Sequence, residues 1–188
     1  MEIEPNRVES HGYFAEYYLL PLGRIDVAIR ELRIAEKGDP QFRNFLGEAL
    51  EDAGRDEEAL AVCAADACGF GPRVRLGGAA EVIQIHDADP IRVPATPLGC
   101  AYARVGRREE AEKLAQSVSG GSGGMDIYAC LGDKERVFEA LDRAAVLGPI
   151  RIGWFLLRVD REQRGLLSGD PRLKALRKKV GLPEEQVR

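Results

Sequence analysis

One short pattern constrains this chain more than any other feature. It reads "GRIDVAIREL" at 23–32, "GRDEEALAVC" at 54–63, "GRREEAEKLA" at 106–115 and "GDKERVFEAL" at 132–141. In each copy a glycine is followed by charged residues, and five places on stands a small or β-branched apolar residue: Ala28, Ala59, Ala111 and Val137. Each glycine also follows a helix-like apolar stretch. Glycine is the usual residue just past a helix C-terminus, where a left-handed backbone is required. Acidic residues after it suit the first turn of a new helix, whose macrodipole favours negative charge there. The unit is therefore helix, tight turn, helix, with the small residue allowing close approach of the second helix to the first. Neither half buries its apolar face alone, so such units must stack.

On this register helices are expected over 10–20 and 24–37, 41–53 and 55–67, 93–105 and 107–118, and 124–131 and 133–146, giving pairs at about 10–37, 41–67, 93–118 and 124–146. "KGDP" (37–40) is a stop between the first two pairs, and "SVSGGSGG" (117–124) a flexible joint before the fourth. The turn glycines are spaced unevenly, with 69–92 standing between the second and third pairs as an irregular insert. Its "AAEVIQIH" reads as one short helix, although "VRL", "EVIQI" and "IRV" also fit short strands. Residues 149–183 are expected to form a C-terminal cap, in which "RLKALRKKVG" (172–181) carries Leu173, Leu176 and Val180 at amphipathic spacing, and Trp154 and Phe155 cover the last pair's core.

Few aromatics (6%) and abundant Ala, Leu, Glu and Arg favour helices packed through small side chains. The 188 residues suffice for one domain. The net charge of −4 is uneven: residues 1–69 carry 15 acidic and 7 basic side chains, a net of −8, and residues 70–188 carry 16 and 20, a net of +4. Four cysteines (Cys63, Cys68, Cys100, Cys130) lack the spacing of a zinc site and are read as reduced thiols in a cytoplasmic protein. "MEIEPN" has no apolar core of a signal peptide, and the longest apolar run, "GWFLL", is too short to span a bilayer.

The chain resembles the tetratricopeptide repeat family, helix–turn–helix units of about 34 residues. "PLGCAYARVGRREEA" carries the resemblance best, through Leu98, Gly99, Tyr102, Gly106 and Ala111; the second unit offers Leu46, Gly47, Leu50, Gly54 and Ala59. The first unit keeps Gly23, Ala28, Leu32, Ala35 and Pro40 but has Glu16 where the family prefers a small residue. Residues 131–183, with "LGDKERVFEALDRA", "WFLLRVD" and "LLSGDPRLKALRKKVGLP", are similar to the C-terminal end of repeat regions in bacterial multidomain regulators, except that Arg161 stands where Pro is common and Leu173 where Phe is common. The resemblance implies an all-α fold, an irregular α-solenoid of stacked antiparallel helix pairs with a C-terminal capping helix.

It also implies a concave groove lined by the first helix of each pair. Registration places Tyr13, Tyr17, Asn44, Glu48, Glu51, Thr96, Cys100 and Arg104 near it, with the two tyrosines either facing the groove or packing on neighbouring helices. Glu48 and Glu51 share a helix face and make that part acidic, suited to a peptide or helix with Lys or Arg beside apolar anchors; Arg104 marks a far end of opposite charge.

Enzyme chemistry finds little footing. Only His11 and His86 supply imidazoles, and no histidine accompanies the cysteines. "HDAD" (86–89) reads as a polar turn before Pro90, and "GG" (77–78) lacks the Lys-Ser/Thr of a phosphate loop. The expectation is a non-enzymatic protein-binding scaffold with no cofactor, metal, nucleic acid or membrane partner. The alternatives are an accessory enzyme or metal-binding protein using 69–94, or a repeat protein that self-assembles into a homo-oligomer.

Overall fold

The computed structural model describes residues 7–63, 67–118 and 124–183. Among these the protein is all-α, with no strand. The helices are α1 (Val8–Phe14, continued by a π-helical turn, Ala15–Leu19), α2 (Ile25–Gly38), α3 (Arg43–Asp52), α4 (Asp56–Cys63), α5 (Phe70–Arg73), α6 (Ala79–Ala88), α7 (Ala95–Arg104), α8 (Arg108–Ser117), α9 (Met125–Cys130), α10 (Lys134–Ala144), α11 (Pro149–Glu162) and α12 (Pro171–Val180). None is long and apolar enough to cross a membrane. Residues 64–66, at the expected end of the 55–67 helix, and most of the expected glycine joint lie outside the described residues.

The repeated glycines do what their spacing requires. Gly23, Gly54, Gly106 and Gly132 all have φ between +70° and +81°. At Gly54 its own N–H reaches Glu51 O (2.8 Å) and Arg55 N–H reaches Leu50 O (2.8 Å), and the other three turns repeat the pair of bonds. This arrangement satisfies carbonyls left open at the helix end. Five residues on, Ala28, Ala59, Ala111 and Val137 are completely buried. Helices flanking these turns pack on each other: α1 on α2, α3 on α4, α7 on α8 and α9 on α10.

The stretch read as an irregular insert is helical as far as Ala88 and obeys the same rule. Gly77 has φ +96°, and Val82, five residues later, is completely buried. The chain thus holds a fifth turn, between α5 and α6, which divides the long interval between Gly54 and Gly106. Phe70, Val74, Val82 and Ile83 join Leu98 and Ala101 of α7 in one apolar cluster. No part of "VRL", "EVIQI" or "IRV" is a strand.

Residues 149–183 divide into two parts with different roles. α12 packs on the end of the molecule, where Leu173, Leu176 and Val180 join the cluster of α9 and α10. α11 instead runs back toward the N-terminal helices. Ile152, Phe155, Leu156 and Val159 belong to the C-terminal cluster, whereas Leu157 sits in the cluster of α2 and α3. Gly153 lies so close to the Pro21 backbone that a Cβ would have no room. Trp154 Nε1–H donates to Glu16 O at 3.0 Å. The expected cover of the last pair by Trp154 and Phe155 is thus shared between two parts of the fold: Phe155 faces the C-terminal core and Trp154 the first helix.

Candidate functional site

Between α3, α7 and α11 lies a cavity of about 340 Å³. Five of the eight residues expected at a groove line it: Asn44, Glu48, Glu51, Thr96 and Cys100. The opposite wall is α11, through Arg158, Arg161 and Glu162. Position on one helix face explains the first group, since 44, 48 and 51 are spaced by four and three. Tyr13 and Tyr17 are elsewhere on the surface, about half exposed and stacked on each other at 6.0 Å, with Tyr13 edge-on to Phe42. Arg104 is exposed at the C-terminal turn of α7 and is not among the lining residues.

Two arginines hold the acidic side of the cavity. Arg75, whose side chain is only 7% exposed, bonds Glu51, Asp56 Oδ1 (2.9 Å) and Glu162 Oε1 (2.8 Å). Arg161 bonds Asp52 Oδ1 (3.3 Å) and Glu162 Oε1 (3.3 Å). Arg158 pairs with buried Asp126. A buried carboxylate is tolerable only when paired and hydrogen-bonded, and here Arg75 and Arg161 each serve more than one of them. Four carboxylates around Arg75 and Arg161 still outnumber the cations. Burial pushes the Asp52 carboxyl up to about 7, Glu48 and Glu51 push the same way, and Arg161 only partly offsets them. Glu51 and Glu162 are also raised, chiefly by burial, against the pull of the same two arginines. Burial alone would lower Arg161, but Asp52, Glu51 and Glu162 outweigh it and keep the guanidinium charged.

Two sequence expectations are corrected. The cysteines are not separate thiols: Cys63 is bonded to Cys68, and Cys100 to Cys130. Tertiary packing brings α7 and the end of α9 together, leaving the Cys100 and Cys130 Cα atoms 5.3 Å apart across 30 residues of sequence. Cys100 is accordingly buried. Glu51 is likewise no free groove acid but a buried partner of Arg75. "HDAD" ends α6, with Ile91 N–H donating to Asp89 Oδ1 (3.3 Å); His86 is half-buried while Asp87 and Asp89 are exposed.

Sequence reasoning missed Arg75, Arg158, Arg161 and Glu162. The one available signal was Arg161, a charged departure from the proline common at that position in the similar repeat regions. No family model, curated protein or solved structure matches the chain.

Proposed function

We propose that the protein is a non-enzymatic scaffold of the tetratricopeptide type, an irregular α-solenoid of antiparallel helix pairs that binds a segment of a partner protein, in a bacterial regulatory assembly. The observation that carries this reading is the surface the chain itself covers with α11. The acidic face of α3 receives a helix bearing Arg158 and Arg161 beside apolar Trp154 and Leu157. That is the chemistry expected of a bound peptide, supplied here in cis. A partner would then engage what α11 leaves open: Asn44, Glu48 and Thr96 at the cavity, and Tyr13 and Tyr17 beyond it.

The test is comparative capture from the native host. Wild-type protein and a Tyr13→Ala/Tyr17→Ala/Glu48→Lys variant with an unchanged helical spectrum are used as baits, and retained proteins are identified by mass spectrometry. A partner held by the first and lost by the second supports the reading. Equal retention by both removes these residues from recognition.

A second reading, self-assembly, is favoured by four exposed aromatics on the first helix, Tyr13, Phe14, Tyr17 and Tyr18, which stack in pairs. Light scattering after size-exclusion chromatography decides it: the mass of two or more chains, reduced to one by Phe14→Ser/Tyr18→Ser, is the outcome it requires.

A further inference from the structure

The sulfurs of Cys100 and Cys130 and a carboxylate oxygen of Glu162 all lie within 4.8 Å of one another. They come from α7, α9 and α11, so the cluster sits where three separate parts of the chain meet. Cys100 and Glu162 are almost fully buried, and both line the cavity.

The oxygens around the two sulfurs are informative. Glu162 Oε2 is 3.4 Å from Cys130 Sγ, and Asp126 O is 3.7 Å from Cys100 Sγ. Asp126 O lies inside α9 and accepts a helical N–H, but Glu162 Oε2 receives nothing from the sulfur it faces, because a disulfide sulfur carries no hydrogen. Buried acceptors normally have a donor or a cation. As thiols, both cysteines could donate, Cys130 to the carboxylate and Cys100 to the carbonyl. As thiolates, they would leave Oε2 beside them as a third ligand of like charge, an arrangement that a metal cation stabilises. Meanwhile Glu162 Oε1 is fixed by Arg75 and Arg161, in the way that outer-shell partners orient a ligating group.

We propose that Cys100, Cys130 and Glu162 form a redox-gated site for a thiophilic divalent cation, Zn²⁺ in particular, closed by the disulfide and opened by two-electron reduction. Two thiolates select a soft or borderline cation over Mg²⁺ or Ca²⁺. Three protein ligands leave one position of a tetrahedron, and the cavity gives it access to solvent. The opening step balances with a phosphine as reductant. The S–S bond breaks, phosphorus supplies two electrons and takes an oxygen from water, and the two hydrogens of that water end on the cysteines. A cellular dithiol does the same by passing on two electrons and two protons and closing its own disulfide. Zn²⁺ then displaces both thiol protons to solvent.

The experiment uses the full chain with Cys63→Ala and Cys68→Ala, so that no other thiols contribute. It is reduced with a phosphine, desalted without oxygen and titrated with Co²⁺, followed by Zn²⁺. The expected result is one Co²⁺ per chain with thiolate-to-cobalt charge-transfer absorption, displaced by Zn²⁺ and absent from the oxidised protein. Glu162→Gln should weaken metal binding by at least about tenfold, and Cys130→Ala should abolish the two-thiolate spectrum. The proposal is overturned if the folded, reduced chain shows no such absorption, or if the absorption survives either substitution unchanged. A disulfide that the phosphine leaves intact overturns it as well. Should the background variant lose its helical circular dichroism, wild type compared with Cys100→Ala/Cys130→Ala gives the same decision, since only the former then carries the proposed ligands.

Discussion

Arg161 Nη1 and Asp52 Oδ1 are 3.3 Å apart although 109 residues separate them in sequence. Both side chains are more than nine-tenths buried, and together they tie α11 to the end of α3. Charges taken out of water are costly unless the partner stays in place. Arg161→Met should therefore cost about 3–5 kcal/mol, because Asp52 loses its cation and Glu162 one of two. Adding Asp52→Leu should recover part of that loss, since an apolar pair leaves no charge stranded. Urea denaturation of both variants checks this, and a cost below about 1 kcal/mol for Arg161→Met would place the pair in solvent.

The same site sets a pH dependence. Asp52 titrates at about 7 in the folded protein and near 4 when unfolded. Between those values the native state holds a proton that the unfolded chain releases. The resulting stability is full below about pH 4 and is lost as pH rises through about 7. Glu51 and Glu162, also raised, act in the same direction. Denaturation midpoints measured from about pH 5 to pH 8 should fall, with a slope from this group of at most about 1.4 kcal/mol per pH unit. Asp52→Asn should flatten the curve. An unchanged slope in that variant would assign the dependence to other groups.

Close approach at the small positions predicts overpacking. Ala59 is completely buried between α3 and α4, and Gly153 abuts the Pro21 backbone. Ala59→Phe and Gly153→Ala should each cost about 1–3 kcal/mol. Gly77→Ala separates packing from backbone strain, because no atom lies within 4 Å of the added methyl yet φ is +96°. Its cost should be about 1–2 kcal/mol, from the left-handed conformation alone. Thermal denaturation ranks the three, and no loss at Gly77 would remove the fifth turn.

These residues also show what the sequence could reveal. The glycine-plus-five register is local, so the buried Ala28, Ala59, Ala111 and Val137 and the all-α class were legible. Gly77 was overlooked because "GAAEV" follows it, with Glu81 as its one charged residue where each of the other turns carries two or more. The ion network was invisible for a different reason: Arg75 reaches Glu162 across 87 residues, and no periodicity encodes which distant charges will meet. The disulfides escaped likewise, since thiol spacing alone does not reveal that α7 and α9 pack together. Asn44, Glu48, Glu51, Thr96 and Cys100 reach one cavity because helix phase is readable, but the sequence did not indicate that α11 forms its other wall.

The last prediction separates two acids that look equivalent in sequence. Glu48 and Glu51 stand three apart on α3, and the sequence alone suggests that converting both to Lys would spare stability. The structure divides them. Glu51 is 5% exposed and bonded to Arg75, with Arg161 nearby, whereas Glu48 is half-buried at the cavity wall. Glu51→Lys would set a third cation against two buried arginines and remove a partner from one of them. The expected cost is about 3–5 kcal/mol, the range for breaking a buried pair. Glu48→Lys should cost less than about 1 kcal/mol, because its charge retains access to water. It also removes a like charge that helps raise Asp52, so the Asp52 pH dependence should weaken in this variant. Urea denaturation at two pH values measures both effects. Equal costs at the two positions would show that Glu51 is not held in the Arg75 network, and a Glu48→Lys variant with the wild-type pH profile would show that its charge does not reach Asp52.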